Sequence, residues 1–205
     1  MGRTLITTAQ TLALSNLQFQ KVIVVNGRAY STLATAYTAA DSVATASYPV
    51  AMVVGAGRAV DFGDLTLGAN WNAHVSIVGI SPGVSKLGSI TVTGYSAAIS
   101  MQGVALNGVT GAVTLKARNC LITGSVAMLN GGSVFQDCNF SAAISDLASN
   151  EAQFINCLFA PSSGAPIDSS TEKSVYCFNC LLNAEVGANV TLNGSATTKG
   201  DLILP

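Results

Sequence analysis

The sequence predicts an all-β chain wound into a right-handed parallel β-helix, with one short N-terminal capping helix. Three observations carry this. First, a motif recurs: Asn119-Cys120-Leu121-Ile122 returns as Asp137-Cys138-Asn139-Phe140, Asn156-Cys157-Leu158-Phe159 and Asn179-Cys180-Leu181-Leu182. Gly103-Val104-Ala105-Leu106 is an earlier, degenerate copy. Second, its central positions 104, 120, 138, 157 and 180 lie 16, 18, 19 and 23 residues apart. This step exceeds that of an uninterrupted hexapeptide helix and falls short of a propeller blade of about 40 residues; it suits one coil of a parallel β-helix. Third, beyond residue 50 short apolar runs alternate with Gly, Asn or Ser turns, and no helical period is visible.

The elements follow in order. Residues 1–20 are polar, rich in Thr and Gln, with scattered Leu. They read as an arm or an end-cap strand, packed on this chain or on a neighbour. Residues 21–205 read as one β-helix domain. The β-branched run 22–25 reads as a strand, and Asn26-Gly27 as its turn. In 31–46, Leu33, Ala36, Tyr37 and Ala40 recur at helical spacing, with Ser31 placed to cap the start and Tyr48-Pro49 to end the segment. The run 50–54 before Gly55 reads as a buried strand. Later strands are expected at 64–67, 74–78, 89–93, 113–116 and 190–193. The loop 160–170, with two prolines and four serines, accounts for the longest step between repeats.

A single coil cannot bury its own apolar face, so coils must stack. In register, coils lie about 4.8 Å apart and like residues form ladders. Asn119, Asp137, Asn156 and Asn179 are expected at one corner, bonded to their own backbone and to each other. Cys120, Cys138, Cys157 and Cys180 are expected to enter the core beside them. These eight residues form the predicted structural ladder.

Composition bounds the function. Charged residues are only 9% of the 205, against roughly 25% in ordinary soluble domains. Mean hydropathy is +0.48, and the apolar fraction of 49% gives ample core material. Such a chain covers its surface with Ser, Thr, Asn, Gln and Gly, or with a partner. Net charge is −1 with no basic run, so no nucleic-acid footprint is present. The apolar runs fall far short of the ~20 residues of a membrane helix, so no membrane contact is expected. The N-terminus lacks the apolar core of a signal peptide, which predicts synthesis in a cytoplasm. Five cysteines in that setting suggest reduced, buried thiols.

The order of strand, short helix with Tyr37-Thr38-Ala39-Ala40, strand 50–57, Val75-Ser76-Ile77-Val78-Gly79-Ile80 and then coils resembles the N-terminal part of pectate-lyase-like right-handed β-helices. The resemblance covers roughly 21–193. It implies that the helix caps the open end of the core. The same fold serves polysaccharide lyases, esterases, tailspikes and other virion proteins, so it does not decide function.

Chemistry-bearing residues are sparse. Asp61 and Asp64 are the closest acids, and read as solvated turn residues. Asp137 reads as a ladder member, and Arg118 as its ion-pair partner on the preceding coil. His74, the one histidine, reads as packed or hydrogen-bonded beside Trp71. Cys177 and Cys180 form a lone C-x-x-C without a second pair for zinc, and strand alternation sends them to opposite faces. No cofactor, metal or catalytic set is expected. The expected function is structural: a decoration (cement) protein of a tailed-phage virion, made in the host cytoplasm. It is expected to be a trimer contacting the major capsid or another virion protein through its arm. A small tailspike-like or glycan-binding or glycan-cleaving module is the alternative; a bacterial surface adhesin is a third, weaker fit.

Overall fold

The computed structural model describes residues 21–68, 71–93, 98–129, 132–147 and 150–198. The expected arm, 1–20, lies outside them. The chain is a parallel β-helix whose coils stack three ladders of strands. The first ladder climbs through Val50–Val54, Val75–Gly79, Ile99–Gln102, Leu115–Arg118, Val134–Gln136 and Ala152–Ile155, then the opening halves of Lys173–Leu182 and Val190–Thr198. The second runs through Leu87, Leu106, Ile122, Phe140, Phe159, Leu182 and Thr198. The third pairs Leu65–Leu67 with the end of Lys86–Val92, then Val109 and Val126, and continues as bridges at Ile144 and Ile167.

The repeat seen in sequence forms the second ladder, with Leu121, Asn139, Leu158 and Leu181 in register. The coils before residue 99 lack the Asn-Cys motif, so the repeat could not reveal them. The longest step is absorbed between Phe159 and Lys173, where Ile167 still bridges Ile144.

The N-terminal end is closed by different means. Ile23–Val25 and Arg28–Tyr30 form a hairpin whose two-residue turn holds Asn26 at φ 47° and Gly27 at φ 79°. That conformation favours Asn-Gly, because only residues tolerant of positive φ fit both places. The first strand also pairs antiparallel with Val50–Val54, which ends the parallel stack. The helix spans Leu33–Asp41 and buries Leu33, Ala36, Tyr37 and Ala40, the four residues at helical spacing. Its cap is Thr32 rather than Ser31, with the Thr32 hydroxyl accepting from the Thr35 amide at 3.2 Å. It ends five residues before Ala46, because 42–48 closes as a tight turn in which Thr45 and Tyr48 bond each other. One further helical turn, Ala59–Phe62, falls where no helix was expected.

The core is one continuous cluster from Ile23 to Val190. In its C-terminal half phenylalanines stack between coils: Phe135 on Phe154 at 5.1 Å between ring centres and 11°, and Phe140 on Phe159 at 4.6 Å and 7°. The two stacks meet edge to face.

Candidate functional site: the asparagine corner and its apolar flanks

Asn119, Asp137, Asn156 and Asn179 occupy one corner on four successive coils. All four have left-handed backbone, with φ of 49°, 56°, 52° and 54°. Gly103 holds the same corner one coil earlier at φ 68°. Side chains rarely accept this conformation; Gly, Asn and Asp accept it best. The turn therefore selects the residue type, a cause the repeat alone did not state. Each corner amide from 103 to 156 donates to a carbonyl of the next coil: Arg118, Gln136, Ile155 and Phe178. Asn179 donates instead to the Ser195 hydroxyl. The upper side chains also join, the Asn179 amide to Asn156 at 2.9 Å and the Asn156 amide to the Asp137 carboxylate at 3.1 Å.

Cys120, Cys138, Cys157 and Cys180 follow the corner inward and are buried, free thiols. Each donates to the carbonyl two residues before it, and all but Cys120 also reach a carbonyl of the preceding coil. Cys177 is buried as well. Simple alternation, which would have turned it away from Cys180, fails because the corner at Asn179 and a register shift after Phe178 break the period of two.

Protonation of the stacked thiols is shared. Side-chain hydrogen bonds with Cys120 and Cys157 push Cys138 up, that with Cys180 pushes Cys177 up, and burial adds to both. A bond with Cys138 favours the Cys157 thiolate, but the bond with Cys180 and burial outweigh it and push Cys157 up to about 12. Bonds from Cys157 and Cys177 favour the thiolate at Cys180. Unfolded thiols lose their protons near pH 8.5. Above that pH the unfolded chain therefore binds fewer protons than the folded one, and stability falls as pH rises towards 12. The melting temperature is expected to drop between pH 8 and pH 10.5, and to drop less in Cys138→Ala. A flat profile in the wild type contradicts this.

The remaining candidates are held by other partners. Asp61 is not a free turn residue: it pairs with Lys21 at 3.3 Å and lies 3.8 Å from the Arg58 guanidinium. The Arg58 backbone amide, with Lys21 and Arg58, holds its carboxyl below the usual range. Asp64 accepts from the Ser89 amide of the next coil at 2.6 Å. Asp137 makes no ion pair with Arg118; it accepts from Asn156 instead. On the first ladder Arg118 aligns with Gln136, which leaves Asp137 one position past it at the corner. His74 is exposed rather than packed, while Trp71 beside it is buried, donates to the Val75 carbonyl and packs on Tyr37. Among the described residues no three His, Cys, Asp or Glu are grouped to hold a metal. No described helix is long and apolar enough to cross a membrane.

No family model, no curated protein and no solved structure matches this chain.

The surface beside the corner is the unusual part. Tyr176 and Phe178 point outward from the first ladder, and Leu158 and Leu181 from the second, each between 38% and 44% exposed. Leu158 and Leu181 are register partners, and Phe178 lies against Ile155. A groove of about 570 Å³ runs along Asn156, Leu158, Asn179, Leu181 and Thr197. Neither 152–167 nor 174–184 contains a charged residue. The signal was present in the sequence: Val175-Tyr176-Cys177-Phe178 is apolar at both alternating positions. A strand of that kind is normally covered on both faces.

Proposed function

We propose that this chain is a non-enzymatic structural protein of a larger assembly, a decoration protein on a tailed-phage capsid. The observation that carries the reading is the uncharged, exposed apolar surface on both flanks of the asparagine corner, Tyr176 and Phe178 on one side and Leu158 and Leu181 on the other, in a low-charge chain. Patches of this kind mark interaction surfaces. In the proposed assembly this surface packs copies of the chain into a closed trimer. The arm, 1–20, then ties the trimer to the shell. Ladders of backbone bonds and stacked rings suit a part that bears load rather than one that moves.

Light scattering on the full chain is expected to give a trimer. The chain lacking residues 2–20 is expected to remain trimeric but to lose its binding to capsids. A monomer that binds or cuts a polysaccharide would overturn the reading. One observation favours that second reading: Tyr176 and Phe178 stand two residues apart on one strand face, a platform on which sugar rings can stack, with Asn193 on the next coil in register with Tyr176.

A further inference from the structure

A second surface lies near the opposite end of the prism. Residues 55–58 and 83–86 run side by side, with the Gly57 amide donating to Val84 at 3.0 Å and the Lys86 amide to Gly57 at 3.1 Å. Between them is a groove of about 340 Å³ lined by Lys21, Gly57, Arg58, Asp61, Gly83 and Lys86. We infer that this groove binds a phosphate- or sulfate-type oxyanion.

The argument is one of charge. Three cations and one carboxylate leave two net positive charges at the groove, on a chain whose overall charge is −1. The chain has nine Lys and Arg in all, so a third of its cations converge here. Asp61 neutralises one of the three: it pairs with Lys21 and lies 3.8 Å from the Arg58 guanidinium. Its Oδ2 accepts from the Arg58 backbone amide at 2.7 Å and its Oδ1 from Lys21 at 3.3 Å, so it is already satisfied. The Arg58 guanidinium and the Lys86 ammonium have no hydrogen-bond partner among the described residues. Cations lining one groove give it a positive potential that favours an anion. The Arg fork matches a tetrahedral oxyanion in a bidentate way, and Lys supplies a second point charge. Gly83 has no side chain beside the groove, whereas a side chain at Gly57 would meet the buried Phe62 ring. The anion is either free in solution or carried on a polymer.

The test uses the full chain at constant ionic strength, titrated with inorganic phosphate and, separately, with polyphosphate, and read by amide chemical shifts. Saturable shifts are expected at Gly57, Arg58 and Val84. Arg58→Gln and Lys86→Gln should each weaken binding about tenfold. Lys116→Gln, an exposed lysine elsewhere, should leave it unchanged. Tighter binding per phosphate with polyphosphate assigns a polymer, and equal binding assigns the free ion. Absence of saturable shifts, or equal binding by all three variants, overturns the inference.

Discussion

Phe154→Ala is expected to cost about 3–5 kcal/mol, the range for a large aromatic truncated in a close-packed core. Phe154 is fully buried and contacts three other rings: Phe135 face on, and Phe140 and Phe159 edge on. The hole cannot close easily, because the backbone on both sides is tied to neighbouring coils through Phe135 and Cys177. For a chain of this length the melting temperature should fall by about 6–20 °C. Coils contact mainly their neighbours, so the loss should appear first as local opening around 135–159. Calorimetry with hydrogen exchange measures both. A loss below about 1 kcal/mol would mean that the rings do not stack as described.

Asn156→Ala is the second large effect, expected to cost about 1.5–3 kcal/mol. Part is the left-handed backbone, φ 52°, which a Cβ-bearing residue without a local polar side chain adopts at a cost of about 1–2 kcal/mol. The rest is the loss of side-chain bonds to Asp137 and Asn179, each worth about 0.5–1.5 kcal/mol and less where exposed. Asn156→Gly separates the two, since glycine keeps the backbone and loses only the bonds. It should therefore be the milder change in a denaturant titration. If Gly proves as damaging as Ala, the side-chain ladder rather than the turn dominates.

The corner was legible because one backbone conformation, repeated on each coil, admits few residue types and so leaves a spaced mark in the sequence. The capping helix was legible through Leu33, Ala36, Tyr37 and Ala40, although its cap moved by one residue. The early strands, among them Val50–Val54 and Val75–Gly79, were legible as short apolar runs but not as members of the repeat, because they meet the same core demand without the Asn-Cys turn. Cys177 misled because alternation holds only within an unbroken strand. The cationic groove could not be read along the chain, since Lys21, Arg58 and Lys86 meet only when coils stack. Arg118 and Asp137 show the reverse error: proximity in coil register does not place two side chains on the same face.

The most direct test of the assembly account is the native mass of Phe178→Ser/Leu181→Ser beside the wild type, at matched concentration. Both side chains point outward, so the far-ultraviolet spectrum should not change. The account predicts a wild-type mass of three times the 20.8 kDa chain and a variant mass of a single chain. Equal masses for the two proteins would contradict it and return the exposed surface to the glycan-binding reading.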